Sequence, residues 1–250
     1  MRPLASLVHS RTCVRPRFAL MPLEGFPFSR LPSWPDAQVR VLASPALGAK
    51  FVEHLIDLPA GKSGEFAADD EVQTFYYVTA GAGKCESGGQ TYVLRAGSFG
   101  LAPPQKELRF TADASLSLIL IRKKYVPATG IPVYAALHGH ESDVVQQHWN
   151  DNPHALLQTL IPDEFEFDMA MNIFTFSPGH GLPIVETHVM EHGAFMLQGK
   201  GLYYLGEEWM EVEKNDFIYM APFCPQSFYA TGPQPASYIY YKDVNREIAI

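Results

Sequence analysis

The sequence predicts an all-β protein built from two copies of one β-barrel unit. Three observations carry that reading. Short β-branched and aromatic runs recur along the chain, and turn residues separate them. The chain carries 19 glycines and 20 prolines, a density that suits a β-rich body better than a helical bundle. An ungapped shift of 118 residues superposes Gly61 on Gly179, Gly81 on Gly199, Gly83 on Gly201, Phe99 on Phe217 and Pro104 on Pro222. These are mostly residues that fix turn geometry.

Taken in order, residues 1–50 read as an irregular arm rich in proline, with one short strand at Gln38–Leu42. The first barrel occupies 51–125. Its strands are predicted at 51–58, 72–79, 91–94, 99–102 and 116–122, each stopped by Gly or Pro. Residues 126–165 form a connector, where Asp143–Trp149 reads as a short helix with Ser142 as N-cap. The second barrel occupies 166–250, with strands at 165–176, 184–198, 201–206, 209–212, 217–222 and 237–242.

Composition narrows the function. The apolar fraction is 47%, enough for a sizeable core, and the net charge is −8 without any Lys/Arg-rich run. Nucleic acid and anionic membranes are therefore not expected partners. No run of about 18 apolar residues occurs, so no membrane span is expected. Cys13, Cys85 and Cys224 are an odd, widely spaced set that suits a reducing compartment, and a cytoplasmic location is expected. The Arg-containing N-terminus (Arg2, Arg11, Arg15 and Arg17) reads as a folded arm rather than a secretory or transit sequence.

The chemistry concentrates in Glu186-Thr-His188-Val-Met-Glu191-His192-Gly. Glu186, His188 and His192 keep one parity, so on a strand all three face the barrel interior. Gln226, after Pro222, supplies a distant amide. Two imidazoles, a carboxylate and an amide oxygen form a mixed N/O set suited to Mn, Fe, Co, Ni or Zn, and four such ligands leave open positions on an octahedral ion. In the first copy the same positions hold Ala68, Asp70, Thr74 and Leu108, so only the second copy carries a complete set. A rival reading takes His188-Val-Met-Glu191-His192 as the helical His-x-x-Glu-His zinc-protease pattern. Pro183, Gly193 and the β-branched residues between them favour a strand instead. The plain alternative is a structural polar patch. Tyr203 and Tyr238 in strands, and Lys242 at a strand end, each have a bland reading as packing or solvated residues. Glu191 has the wrong parity for the ligand face, and Cys224 reads as a small buried residue.

Glu186-x-His188-x3-His192-x6-Gly199 and Asp216-x5-Pro222-x3-Gln226 resemble the two cupin motifs, with Glu and His exchanged in the first and Asp216 replacing the glycine of the second. Together with Phe223-Cys-Pro-Gln226 and Tyr240-Tyr-Lys-Asp-Val-Asn-Arg246, the set resembles the (S)-ureidoglycine aminohydrolase family, bicupins of allantoin breakdown. Ser10-Arg11, Pro22 and Ile121–Tyr125 extend the likeness to the N-terminal half. The resemblance implies two tandem jelly-roll cupin barrels, a homo-oligomer and a manganese centre, other divalent metals being possible. It implies conversion of ureidoglycine to ureidoglycolate with release of ammonia. By position, Glu186, His188, His192 and Gln226 would bind the metal. Tyr203, Tyr238 and Lys242 would contact a small ureide bearing a carboxylate. Another metal-dependent cupin enzyme, a dioxygenase or isomerase, and a non-enzymatic small-molecule binder remain the alternatives.

Overall fold

A computed structural model describes residues 11–247; Ser10 and the rest of 1–10 lie outside the described residues. The chain forms two compact units, 27–143 and 144–250 together with the arm up to Phe26. The arm contributes β1 (Cys13–Arg15) and β2 (Phe18–Met21) to the second of these.

The first unit contains β3 (Gln38–Ala43), β4 (Val52–Leu58), β5 (Ser63–Phe66), β6 (Val72–Ser87), β7 (Gln90–Arg95), β8 (Ser98–Ala102), β9 (Leu108–Lys124) and β10 (Leu137–His140). Its main sheet runs β10-β8-β6-β9-β4-β3, with β5 on β9 and β7 on β6. Alternate residues point inward, as the strand period requires. Ile56, Leu58, Tyr76, Val78, Leu118 and Leu120 thus share one core with Trp34 and Phe110. Each such buried side chain contributes about 1.5–3 kcal/mol of transfer free energy.

The second unit adds β11 (Gln147–Trp149), β12 (Asn152–Thr159), β13 (Met169–Phe176), β14 (His192–Gln198), β15 (Lys200–Leu205), β16 (Glu208–Glu213), β17 (Phe217–Met220), β18 (Gln226–Ala230) and β19 (Ala236–Asp243). One sheet runs β1-β2-β17-β14-β19-β13-β12-β11, and a smaller one runs β16-β15-β18. Its interior is aromatic: Phe174, Phe176, Tyr203, Phe228 and Tyr238 lie within one cluster.

The internal repeat is visible in the pairing itself. Thr74↔Ala102 in the first unit becomes His192↔Met220 in the second. In the same way Gly83↔Leu94 becomes Gly201↔Val212, Gly83↔Ala112 becomes Gly201↔Ala230, and Ser63↔Thr111 becomes Gly181↔Tyr229. Every partner moves by the same 118 residues. Before β19 the second copy is longer by two, so Thr74↔Arg122 corresponds to His192↔Lys242. Both barrels are all-β and cupin-like.

Gly81 and Gly199 occupy the same corner, with φ of 89° and 74°. A Cβ there would stand 1.6 Å from the Ser115 carbonyl oxygen or 2.6 Å from that of Pro235. Gly81→Ala and Gly199→Ala are each expected to destabilise by about 3 kcal/mol or more, read as a lowered melting temperature.

Three expectations need correction. The helix at Asp143–Trp149 is absent. A single 3-10 turn covers Glu141–Asp143, and β11 follows as one arm of a hairpin with β12. The hairpin turns at Asn150 and Asp151, both at positive φ (48° and 58°), a geometry these residue types tolerate. Residues 165–168 are a turn leading into β13 rather than its start. The strand expected over 184–198 begins only at His192. Pro183 offers no N–H, and Ile184, Val185 and Val189 are exposed instead of packed in a sheet. Within the arm and the connector, β2 extends the second barrel beside β17 and β10 extends the first beside β8.

Candidate metal centre

The candidate centre lies at the mouth of the second barrel. His192 opens β14, Gln226 opens β18, and both are buried. Glu186 and His188 sit on the irregular segment before β14. They are held there by backbone bonds rather than by a strand: Glu186 N–H donates to the Gln226 carbonyl at 2.8 Å, and Gln226 N–H donates back at 2.9 Å. The His188 carbonyl accepts from Phe223 N–H at 2.7 Å. Phe223 itself has a positive φ of 61°, the tight corner that turns the chain after Pro222 and presents Gln226. One stretch thus delivers the distant amide to the clustered residues.

The imidazoles of His188 and His192 stack with centroids 4.7 Å apart, and the far face of His192 lies along Tyr240 at 5.6 Å. His188 Nε2 stands 2.9 Å from the Gln226 side-chain nitrogen. Nδ1 of both histidines is buried without a hydrogen bond of good geometry. On β19, Tyr238, Tyr240 and Lys242 alternate onto the same inward face, and Lys242 lies directly across from His192. Tyr203 comes from β15, with its ring 5.8 Å from that of Tyr238.

The electrostatics follow from burial. Loss of water pushes the Glu186 carboxyl up, partly opposed by the Lys242 ammonium. Burial pulls His188 down, reinforced by Lys242; His192 is pulled down further by burial, by His188 and by Lys242. Both imidazoles are therefore neutral at neutral pH, the form that can bind a metal. Tyr203 and Tyr238 are raised chiefly by burial, and both feel the Glu186 carboxylate. Tyr240 is pushed up to about 12 by burial, against a hydrogen bond with Asn172.

Among the described residues, no three His, Cys, Asp or Glu side chains form a group that could hold a metal ion. The donor chemistry nonetheless fits a hard or borderline divalent ion. Adjacent ligands on an octahedron with bonds of about 2.1 Å stand about 3 Å apart, which matches the 2.9 Å between His188 and Gln226. The O and N ends of a glutamine amide are nearly interchangeable in shape, so a 180° turn of Gln226 offers an oxygen donor at that spot.

Of the seven residues singled out in the sequence, the structure joins His188 to His192 and Gln226, sets Lys242 across from His192 and packs Tyr203 on Tyr238. It does not join the Glu186 carboxylate to the two imidazoles in one ligand group. It also adds two. Tyr240 stacks on His192, and Asn172 on β13 pairs with Tyr240 across the sheet. The alternation Tyr238-x-Tyr240-x-Lys242 is the signal that could have found Tyr240; Asn172 has no local signal. Glu191 is fully buried, on the face away from His192, with the Tyr219 hydroxyl 3.5 Å from its Oε2. Cys224 is buried, and the three cysteines are free thiols. Asp216 receives two hydrogen bonds from the Arg11 guanidinium, at 2.8 and 2.9 Å, and one from Glu213 N–H at 2.8 Å. Its place in the first barrel is held by Ser98, whose hydroxyl accepts from Arg95 N–H. Asp216 therefore keeps the repeat's turn and adds an anchor for the arm.

A cupin-domain family model matches residues 172–241, the span from Asn172 to Tyr241. The (S)-ureidoglycine aminohydrolase of Escherichia coli K12 is 35% identical over 237 residues, covering 93% of this chain and 90% of that protein. The crystal structure of protein Ylba from E. coli superposes with a TM-score of 0.87 at 32% identity, covering 98% of this chain and 99% of the other. A putative glyoxylate-induced protein from Pseudomonas aeruginosa gives 0.88 at 28% identity, covering 96% and 94%. With both barrels matched at this identity, the chain belongs to the (S)-ureidoglycine aminohydrolase family of cupin proteins.

Proposed function

We propose that the protein hydrolyses the C–N bond of (S)-ureidoglycine, giving (S)-ureidoglycolate and ammonia, with a manganese ion held by Glu186, His188, His192 and Gln226. The observation that carries this reading is the meeting of two neutral imidazoles, one amide and one carboxylate with Lys242 at a single barrel mouth. The second barrel alone has this set; its counterparts in the first are Ala68, Asp70, Thr74 and Leu108. The 35% identity to an enzyme of that name supports the choice of reaction.

Each residue then has a task. Lys242, across the β14–β19 ladder from His192, holds the substrate carboxylate by charge. Tyr203 and Tyr238, which are buried and keep their protons, offer hydroxyls to the ureido group and line a wall that excludes water. Tyr240 fixes the His192 ring plane by stacking on it. Glu186 would supply the carboxylate of the set. A divalent ion held by these four residues would supply charge stabilisation for the departure of ammonia. Three free thiols and a substrate of this kind favour the cytoplasm, and we assign the protein to homo-oligomers there.

The test uses purified full-length protein loaded with Mn2+ and freshly generated ureidoglycine. Ammonia release well above the spontaneous rate is expected, with ureidoglycolate as the co-product. A rate equal to the spontaneous one would overturn the reading. Loading Zn2+ or Fe2+ in parallel tests the metal assignment, with Mn2+ expected to give the highest activity.

A further inference from the structure

The mouth of the first barrel also contains a built cavity, of about 390 Å³. Val52, His54, Val72, Arg122 and Lys124 line it, all on the inward parity of β4, β6 and β9. With Lys50 and Lys123 it has four basic side chains in its lining and no acid. The repeat gives the position meaning. Thr74↔Arg122 corresponds to His192↔Lys242, and His54↔Leu120 corresponds to Asn172↔Tyr240. Arg122 therefore stands where the second barrel has Lys242, and His54 where it has Asn172.

Two polar groups in this cavity lack partners. Arg122 is half-buried, and its Nε is buried with no acceptor. Its guanidinium face lies 4.4 Å over the Phe66 ring, which leaves the in-plane N–H fork open to a ligand. His54 is only 5% exposed, and its Nδ1 has no hydrogen bond. The nearby acids are committed elsewhere. Asp69 spends its Oδ1 on the N–H groups of Glu71 and Val72, and Glu71 pairs with Lys124 at 2.9 Å. A buried Nε–H without an acceptor is an unsatisfied donor, which an anion would correct.

We infer that the first barrel mouth is a second binding site, free of metal, for a small organic carboxylate held by the Arg122 fork and the His54 ring. A carboxylate matches the planar fork with two parallel hydrogen bonds. A phosphate suits the site less well: the walls at Val52 and Val72 are apolar, a single guanidinium provides the open donors, and the Asp69 carboxylate is near enough to disfavour a dianion. The inference rests on the proposed reaction in one respect only, the preference for a ureide acid as probe.

The probe is oxalurate, an unreactive ureido acid, titrated calorimetrically into the full-length chain. Saturable binding is expected, and it should survive Glu186→Ala, which disables the other centre. Arg122→Gln is expected to weaken it about tenfold or more, the equivalent of one charge-assisted contact. Arg122→Lys keeps the charge without the fork and should fall between. Inorganic phosphate at equal concentration should not displace oxalurate. If Arg122→Gln fails to fold, the Arg122 Nε–H resonance of the wild type reports the same contact by shifting on titration. Unchanged binding in Arg122→Gln, an unmoved Nε–H resonance, displacement by phosphate, or binding lost in Glu186→Ala but kept in Arg122→Gln would each overturn the inference. Loss of ammonia release alone bears only on the second barrel.

Discussion

Glu186→Ala protein is expected to lose bound metal and ammonia release together, each by about a hundredfold or more. The variant removes the only carboxylate of the set while leaving the backbone bridge to Gln226 in place. Folding should therefore survive, and an unchanged melting curve would certify that. Gln226→Leu makes the same test from the other side, because it writes into the second barrel the leucine found at position 108 of the first. Lys242→Met is the contrasting case. On the proposed assignment it should retain metal and raise KM, because Lys242 would hold the carboxylate and would not be a donor to the ion. Metal analysis by mass spectrometry separates the outcomes. A Glu186→Ala protein that keeps its full metal content would refute the ligand assignment, whatever its activity.

The second large effect concerns the arm. Arg11 binds the Asp216 carboxylate through both terminal nitrogens and also reaches Glu213 at 3.0 Å. The Asp216 side chain is 2% exposed, so removing its partner strands a buried charge. Arg11→Ala should cost about 3 kcal/mol at neutral pH, a fall in melting temperature of about 6–12 °C. The pH dependence has a definite sign. Burial pushes Asp216 up to about 6 despite Arg11. Without Arg11 its folded pKa rises further, while its unfolded pKa stays near the ordinary aspartate value. The difference between wild type and variant thus grows as pH rises through about 6 and is fully present only above the variant's higher folded value. It shrinks as pH falls through 6 and is small near pH 4, where Asp216 is protonated in both folded proteins. Thermal melts at several pH values check this, and a deficit constant across that range would contradict it.

The sequence revealed the parts of the fold that depend on local chemistry. Glycines and prolines at turns exposed the repeat, since few residues can replace them there. Parity over 186–192 pointed to the inward face that carries His192, while Lys242 came only from the family resemblance. What stayed hidden depends on distant partners. Residues 143–149 have helix-compatible composition, and only pairing with β12 makes Gln147–Trp149 a strand. Residues 184–191 are rich in strand formers, yet their only ladder pairing is the isolated bridge between Glu186 and Gln226. Glu186 and His188 lie on that irregular bridged segment and not on β14, so the parity argument assigned them to the wrong element. Asn172 could not be found because its role exists only across the sheet from Tyr240.

The arm also orders events during synthesis. β2 completes the sheet of the second barrel by pairing with β17, and the partner strand is made about two hundred residues later. At about 5–20 residues per second, the arm leaves the ribosome some 10–40 s before its place exists. The first barrel meets no such delay, because β10 follows its own strands directly. Phe18, Ala19 and Leu20, all buried once placed, must cross that interval uncovered. They are the stretch on which a nascent-chain chaperone would act.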